Sequence, residues 1–422
     1  MLKPFLGLLA LAGVAAAQVC PATPVSCTDA SIVNPVYVLS GDTQVPVLHR
    51  VGKLLRAQPS PTTIVYIPNG SCTNLTNLYT NKFTAGTGGG PYYIPADPTF
   101  DVTQKTACPC TLATAIVPDV ANSIVFPDAK SCPTTPVRPG TIGQFQGPVQ
   151  AMVFAVPYDA ITHAGSSQQA ITAEEAYLVL GIGPTDAAVP PWSDPAFIFG
   201  RPASKGTQVS IGENIGVPAA KWRLLADAQH TIDQSSDLAA ALAALANDPS
   251  AEKALGILGA EIYDKAANRS KMHALAFRAY QQKRAYWPDR TSTSFEKQNV
   301  RDGHYALWSY VQYLAPVDGS GVPTKPGVKL LIAAMLGEAT GLVAAASLPA
   351  DSLDGVVKSG LVPNCAMKVQ RSSEGGPLSK YDDPAPCGCY YDATVAAPGC
   401  TACDIATPCA SGVCRRGFCE VR

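Results

Sequence analysis

A repeat near the start of the chain decides the fold: the apolar run VYVL (36–39) leads into the polar turn SGDT (40–43) and then into a helical pattern with apolar residues on one face. The run TIVYI (63–67) leads into the turn NGSCT (69–73) in the same way. Short apolar runs followed by turn residues and an amphipathic segment are typical of strand–turn–helix units. Two consecutive units predict a parallel sheet covered by helices, and hence an α/β fold.

Strands and helices continue to alternate along the chain. The run AMVFAVP (151–157) is apolar on both faces and predicts a central strand. The sequence TAEE (172–175) is a capping box, which predicts a helix that continues through Leu180. Residues 84–148 have no clear periodicity, so we expect loops and short strands held by disulfides. Further short strands are expected at 197–199, 254–258 and 273–277.

The composition excludes several classes of protein. Charged residues make up only 15% of the 422 residues, and the formal net charge is -1. A balance of this kind argues against general electrostatic binding to nucleic acid or to an anionic membrane. The sequence has no GxSxG, HExxH or GxxxxGK[ST] motif, which argues against the familiar hydrolase, zinc-protease and nucleotide-binding classes. We therefore expect a protein that is not an enzyme, with no catalytic residue, no metal and no cofactor.

The first residues and the cysteines indicate the compartment. Residues 1–17 combine one basic residue, an apolar run and an AAA end, which is typical of a secretory signal peptide. A membrane anchor is the alternative, but the apolar run is shorter than the roughly 20 residues that a span needs. The 14 cysteines of an exported chain favour disulfides. We expect a periplasmic or secreted protein with no membrane span after signal removal.

The cysteines also mark the domain organisation, because they form one set between residues 20 and 132 and another between residues 365 and 419. Zinc is the alternative for the second set, but only Cys400 and Cys403 have the spacing of a zinc knuckle and the segment has no histidine. The pairing of the cysteines stays open. The expected organisation is a signal peptide at 1–17, a first α/β lobe at 18–149 to which part of 315–363 returns, a second α/β lobe at 150–314, and a Cys-rich segment at 364–422.

Three strand-to-helix turns carry glycine and small hydroxyl residues, and they are the candidate binding site. The first amides of a helix lack partners and its dipole is positive there, so an oxyanion is stabilised at such a turn without a net charge on the protein. Helix capping is the alternative function of the hydroxyl groups. The candidate ligand-binding residues are Ser40, Gly41, Asp42, Thr43, Gly70, Ser71, Cys72, Arg201, Ser204, Gly206 and Thr207.

Several segments resemble the phosphate-binding protein family of periplasmic transporters, and specifically its long, disulfide-rich secreted branch with a Cys-rich C-terminal tail. The segments that carry the resemblance are AITAEEAY (170–177), PWSD (191–194), RPASKGT (201–207), YWPD (286–289) and KQNVRDGHY (297–305). The resemblance covers about residues 33 to 350. It implies the type 2 periplasmic-binding-protein fold, in which two α/β lobes joined by crossing strands close on a ligand. The 201–207 run is similar to the family's second-lobe phosphate loop, and Gly70 and Ser71 are similar to its first-lobe loop.

One position departs from the family pattern. The family places an aspartate directly after a first-lobe serine, where it accepts the proton of hydrogen phosphate. Ser123 occupies the place of that serine, but Ile124 follows it. Asp42 either substitutes as the proton acceptor or caps its own helix and repels a dianion. Ser123 completes the set of expected ligand-binding residues.

The resemblance implies an exported solute-binding protein that holds phosphate or a related oxyanion between its lobes, for uptake by an ABC transporter permease. The alternative is a secreted or surface interaction module that kept the fold without ligand binding. A monomer is expected in either case. Because the last 59 residues are too few for a large core, we also expect a chain that ends near Asn364 to fold and bind, provided that Cys365 is not bridged to the main body.

Overall fold

The structure is a computed structural model that describes residues 20–85, 89–96, 107–112, 116–158, 169–223, 230–344, 348–410 and 412–420. The expected signal peptide at 1–17 lies outside these ranges. Within the described ranges, no helix is long and apolar enough to cross a bilayer.

The first part of the chain forms the two expected strand–turn–helix units. Its strands are β1 (Val25–Ser26), β2 (Pro35–Gly41), β3 (Thr63–Asn69), β4 (Tyr92–Tyr93), β5 (Cys108–Thr111) and β6 (Val120–Ser123). Its helices are α1 (Val45–Arg56) and α2 (Ser71–Tyr79). Strand β2 pairs in parallel with β3 on one side and with β6 on the other. The alternation of apolar runs and turns therefore gives a parallel sheet with helices on its faces, as predicted.

The central part of the chain begins with one long strand and continues in short elements. Its strands are β7 (Ile142–Pro157), β8 (Ala170–Thr172), β9 (Ile198–Phe199), β10 (Leu255–Gly259), β11 (Met272–Ala274), β12 (Ala276–Arg278) and β13 (Trp308–Pro316). Its helices are α3 (Ala173–Tyr177), α4 (Pro184–Ala187), α5 (Gly206–Ile215), α6 (Ser235–Ala244), α7 (Ala260–Tyr263), α8 (Ala266–Arg269) and α9 (Gln298–Arg301).

The last part begins with two helices and ends in small elements. The helices α10 (Pro326–Leu336) and α11 (Ser352–Val357) pack against α1 of the first lobe. The Cys-rich segment contains β14 (Val369–Gln370), β15 (Ser379–Lys380), α12 (Gly388–Thr394), β16 (Val413–Arg415) and β17 (Phe418–Glu420).

One sheet runs through the molecule in the order β1-β5-β4-β3-β2-β6-β13-β7-β10-β9. The first part of β7 pairs with β13, and its last residues pair with β10 and β11. Strand β7 thus carries the chain into the second lobe, and β13 brings it back beside β6. The predicted α/β fold, with two lobes joined by crossing strands, is confirmed. The expected boundary between residues 149 and 150 falls inside β7, because one continuous strand serves both lobes.

Three local predictions need correction. The expected strand at 273–277 is two strands, because β11 pairs with β7 whereas β12 turns away to pair with β8. The helix expected to continue through Leu180 is α-helical only to Tyr177 and continues as a π-helical turn.

The third correction concerns strand β7, which begins at Ile142, inside the range 84–148 where we expected loops and short strands. Two glycines hide its pattern, and a Cβ on Gly147 would lie 2.5 Å from the Tyr313 ring, so the strand needs glycine there.

Every cysteine is in a disulfide, and the two sets defined by the sequence do not cross. The first lobe is closed by Cys20–Cys108, Cys27–Cys110 and Cys72–Cys132. The Cys-rich segment is closed by Cys365–Cys387, Cys389–Cys400, Cys403–Cys414 and Cys409–Cys419. The sulfur atoms of Cys403, Cys409 and Cys419 lie close together, but all three are oxidised and so are not thiolate ligands for zinc.

The Cys-rich segment packs into the body even though no disulfide ties it there. The Glu374 carboxylate is buried and accepts hydrogen bonds from the hydroxyls of Ser210 in α5 and Ser309 in β13, at 2.8 and 2.5 Å. The Arg371 guanidinium lies 3.7 Å from the centre of the Trp308 ring. Cys365 is not bridged to the body, as the expected removable tail required, but these buried contacts argue against removing the segment without loss.

Candidate functional site

Each of the three turns identified in the sequence lies between the end of a strand and the start of a helix. Residues 40–43 span the end of β2 and the turn after it, residues 70–73 span the start of α2, and residues 204–207 span the start of α5. Strand β2 lies between two parallel neighbours, β3 on one side and β6 on the other. The strand order therefore reverses direction at β2, which is a topological switch point. Ligands of open α/β sheets collect at the carboxyl ends of strands at such a switch point. No side chain caps the helix at any of these three turns, all of which lie within described residues.

The first-lobe and second-lobe turns touch each other. The Cys72 backbone amide donates to the Ser204 carbonyl at 3.2 Å, so Cys72 offers its amide here while its sulfur is bonded to Cys132. A Cβ on Gly70 would lie 2.6 Å from the Ser204 carbonyl oxygen, and one on Gly206 would lie 2.2 Å from an Ile124 side-chain carbon. Only glycine permits this approach at both positions. The two lobes are therefore closed on each other at these turns.

A buried ion pair joins the lobes beside this contact. The Arg201 side chain is fully buried, and its Nη2 donates to both carboxylate oxygens of Asp42, at 3.1 and 3.0 Å. The Ser235 amide, at the start of α6, donates to the same carboxylate at 2.8 Å. Burial acts to raise the pKa of Asp42, but the positive charges of Arg201 and Lys205 and these hydrogen bonds outweigh it, so the pKa lies below its ordinary value.

The second-lobe cations are held by further partners from the segment before α6. The Arg201 guanidinium also donates to the Ser235 hydroxyl and, at 2.5 Å, to the Asp233 carbonyl. The Lys205 ammonium donates to the Asp233 carboxylate at 3.0 Å. The Arg201 Nε finds no acceptor among the described residues. The expected Arg201 and the neighbouring Lys205 thus lie together, with the carboxylates of Asp42 and Asp233 facing them.

Several expected site residues have partners of their own. The Ser123 hydroxyl donates to the Val125 carbonyl at 2.8 Å, within its own turn. The Ser71 hydroxyl accepts from the Ile124 amide at 3.1 Å. The Ser40 hydroxyl donates to the Gly41 carbonyl at 3.1 Å. These hydroxyls therefore serve the closed arrangement of the turns.

The sequence reasoning missed residues that shape the site. The Asn122 side chain accepts from the Gly41 amide at 2.7 Å and donates to the Ser40 hydroxyl at 3.0 Å, which fixes the turn after β2. The Thr43 hydroxyl donates to the side-chain amide oxygen (Oε1) of Gln150 at 3.4 Å. The sequence did not indicate that Ser235 and Asp233 belong to the site, because they lie outside the three strand-to-helix turns. Asn122 could have been found, since it directly precedes Ser123 at the end of a parallel strand.

A cavity of about 280 Å³ lies between the lobes next to Asp42. Its first-lobe wall includes Tyr66 and Tyr92, and its second-lobe wall includes Ser236, Ile262 and Lys265. Of the twelve residues expected to bind a ligand, only Asp42 lines it. Most of the expected residues therefore lie where the turns of the two lobes contact each other. The open space lies beside that contact, next to Asp42.

A second buried carboxyl lies close to this cavity. Glu261 in α7 is buried, and burial raises its pKa to about 8, with the nearby charge of Asp42 acting in the same direction. Neither of its carboxyl oxygens has a hydrogen-bond partner among the described residues. A carboxyl in such a place is mostly protonated at neutral pH.

No protein-family model matches the sequence, and no curated protein matches it. The fold is similar to several solved structures at low identity. An ABC-type phosphate transport receptor from Vibrio cholerae is 12% identical, with 78% of this chain and 100% of that chain covered and a TM-score of 0.46. A possible phosphate binding protein from Planctomyces limnophilus is 15% identical, with 73% and 89% covered and a TM-score of 0.41. The reduced OxyR regulatory domain from Pseudomonas aeruginosa is 11% identical, with 72% and 98% covered and a TM-score of 0.36.

Proposed function

We propose that this chain is an exported, non-catalytic solute-binding protein that holds phosphate or a related oxyanion between its two lobes. One observation carries the proposal: the Asp42 carboxylate of the first lobe is bound by the Arg201 guanidinium and the Ser235 amide of the second. A carboxylate is itself an oxyanion, and a guanidinium together with a helix N-terminal amide is a donor set that suits one. In such a role, an ABC transporter permease is the partner.

In this proposal Asp42 occupies the site while no solute is bound. A ligand oxyanion takes over the Arg201 and Ser235 donors and displaces the carboxylate, which then lies at the edge of the cavity. The cations Arg201, Lys205 and Lys265 lie here together with the anions Asp42 and Asp233, so an oxyanion that displaces Asp42 meets positive charge even though the whole chain is close to neutral. Competition from a built-in anion lowers the affinity for the external one.

Isothermal titration of the full chain with phosphate, sulfate and molybdate tests this proposal. We expect Asp42→Asn to bind phosphate about tenfold more tightly than the unaltered protein, because the competing charge is gone. We expect Arg201→Lys to bind it at least about tenfold more weakly, because a lysine keeps the charge but loses the several N–H donors of the guanidinium. Arg278→Ala is the matched control, since its pair with Glu174 at 3.3 Å is exposed and lies outside the cleft.

The outcomes separate the two roles considered for Asp42. Weaker binding by Asp42→Asn would mean that Asp42 accepts a proton from the ligand, and the competition would be wrong while oxyanion binding stood. Absence of binding of every oxyanion, inorganic or organic, by both the unaltered protein and Asp42→Asn would overturn the function.

A second candidate, an interaction module that binds no solute, is favoured by the contact between Gly70 and Ser204 and by the position of Ile124. These groups fill the space between the turns with protein atoms. Thermal unfolding distinguishes the candidates, because a ligand present at 1,000 times its Kd stabilises a binder by about 4 kcal/mol. An unchanged melting temperature with every oxyanion at millimolar concentration would support the interaction module.

A further inference from the structure

The interlobe cavity is lined by two chemically different sets of side chains. Asp42, Ser235, Ser236 and Lys265 supply carboxylate, hydroxyl, amide and ammonium groups. The other set is apolar or aromatic, namely Val45, Pro46, Tyr66, Pro68, Tyr92 and Ile262. A bare oxyanion uses only the polar set and leaves the apolar set against water or empty space. An apolar group placed against that set is stabilised by the burial of its surface.

The two tyrosines of the apolar set lie side by side. The Tyr66 and Tyr92 rings lie 5.7 Å apart between centres at an angle of 39°. The Tyr66 hydroxyl is hydrogen-bonded to His49 Nε2 at 2.9 Å. Because that hydroxyl already has a partner, the ring is what Tyr66 offers to a ligand. Flat aromatic surfaces of this kind favour ring-containing ligands, through stacked or edge-to-face contacts.

The size of the cavity agrees with a ring that carries an oxyanion. A closed apolar cavity of about 150 Å³ is enough to bind benzene. The volume here is about 280 Å³, which leaves room for a charged group beside a single ring. Asp42 and Ser235, which line the cavity, are both hydrogen-bonded to Arg201, so the charged end of such a ligand reaches the oxyanion donors.

We infer that the ligand of this site is an organic oxyanion with a compact apolar or aromatic body, such as an aryl phosphonate, a phosphomonoester or an aryl sulfonate, rather than free inorganic phosphate. The inference rests on the proposed oxyanion-binding function. The oxyanion replaces Asp42 on Arg201, and the apolar body fills the space along Tyr66 and Tyr92.

The experiment is isothermal titration of the full chain with inorganic phosphate, methylphosphonate, phenylphosphonate and the neutral benzyl alcohol. We expect phenylphosphonate to bind at least tenfold more tightly than methylphosphonate, and benzyl alcohol to bind at least a hundredfold more weakly than phenylphosphonate. In Tyr92→Ala, the ratio of phenyl to methyl affinity falls below about threefold. Tyr177→Ala is the control, because Tyr177 is a partly exposed tyrosine outside the cavity, and there the ratio stays unchanged. The ratio is taken within each variant, so partial loss of folded protein cancels.

Each outcome has one meaning. If none of the three anions binds, the proposed function itself fails. If phosphate or methylphosphonate binds as tightly as phenylphosphonate, the function stands and this inference is overturned. If benzyl alcohol equals phenylphosphonate, or if Tyr92→Ala keeps the full ratio, the cavity does not act as inferred and the inference is likewise overturned.

Discussion

Two buried carboxylates lie at the junction of the lobes, and they are held in opposite ways. Asp42 faces the guanidinium of Arg201, whose attraction keeps its pKa low. Glu374, from the Cys-rich segment, is bound mainly by the neutral hydroxyls of Ser210 and Ser309, and burial raises its pKa although Arg371 opposes the shift. The first arrangement is a charge pair that an external anion can enter. The second is a fixed attachment that has no free donor to offer.

The Glu374 attachment joins three parts of the molecule. Ser210 belongs to α5 of the second lobe and Ser309 to the returning strand β13, and the Phe126 backbone amide of the first lobe also donates to the carboxylate. Arg371, from the same Cys-rich segment, donates to the Ala306 carbonyl at 3.1 Å. Burial lowers the pKa of Arg371 to about 10. The two carboxylates thus have different roles: the Cys-rich segment fixes one side of the junction, while Asp42 and Arg201 occupy the side next to the cavity.

Removal of the Cys-rich segment is expected to have the largest effect. A chain that ends at Pro363 loses the buried side chains of Met367, Glu374 and Tyr391, and it exposes their partners in the lobes. Since truncation of one large core side chain costs about 2 to 5 kcal/mol, we expect the free energy of unfolding to fall by more than about 5 kcal/mol. Chemical denaturation followed by circular dichroism measures it. An unchanged unfolding midpoint would show that the segment is an independent appendage, as the sequence alone suggested.

Loss of one member of the ligand-side pair comes next. Arg201→Ala leaves the Asp42 carboxylate buried without its main counter-charge, and such a change costs about 3 to 5 kcal/mol. The double variant Arg201→Ala with Asp42→Asn is expected to recover a large part of that loss, because the buried charge is removed. A double-mutant cycle from urea unfolding gives the coupling, and a coupling near zero would mean that the two side chains are not paired in solution.

The sequence predicted the parts of this fold that are encoded locally. The apolar runs at 36–39 and 63–67 are long enough to form buried strands, and the glycine and hydroxyl residues after them marked the turns correctly. The pairing of Asp42 with Arg201 spans 159 residues and depends on how the lobes close, for which no local pattern exists.

The burial of Glu374 was equally hidden from the sequence. A glutamate among glycines and serines in a Cys-rich segment has the composition of an exposed loop, so its burial could not be read from the residues around it. The hydroxyls that bind it lie in α5 and β13, far away along the chain. Local periodicity reports which face of an element is apolar, but it does not report which distant polar group an element will receive.

The Glu374 attachment can be tested by itself. Glu374→Ala leaves the hydroxyls of Ser210 and Ser309 buried without their acceptor, so we expect a loss of about 2 to 3 kcal/mol. Glu374→Gln keeps one carbonyl oxygen and the shape of the side chain, and the loss should be below about 1 kcal/mol. Equilibrium denaturation of both variants measures the difference. Equal losses in the two variants would mean that the charge, rather than the hydrogen bonds, holds the segment in place.

The smallest effect concerns the pH dependence of stability and the carboxyl of Glu261. Its pKa rises from an ordinary value of 4.5 in the unfolded chain to about 8 in the folded protein, so the folded state binds the proton more tightly. The stability from this group is full below pH 4.5 and is lost as the pH rises toward 8. One pKa unit corresponds to about 1.4 kcal/mol, so we expect Glu261→Gln to reduce the fall in stability between pH 5 and 8 by at least about 1.4 kcal/mol.

Glu174→Gln changes an exposed glutamate, so it is the control and should leave the slope of stability against pH unchanged. Because Asp42 contributes to the raised pKa, a bound anion that displaces its carboxylate should alter the slope further, whereas identical slopes for the unaltered protein and Glu261→Gln would remove Glu261 from the electrostatics of the cleft.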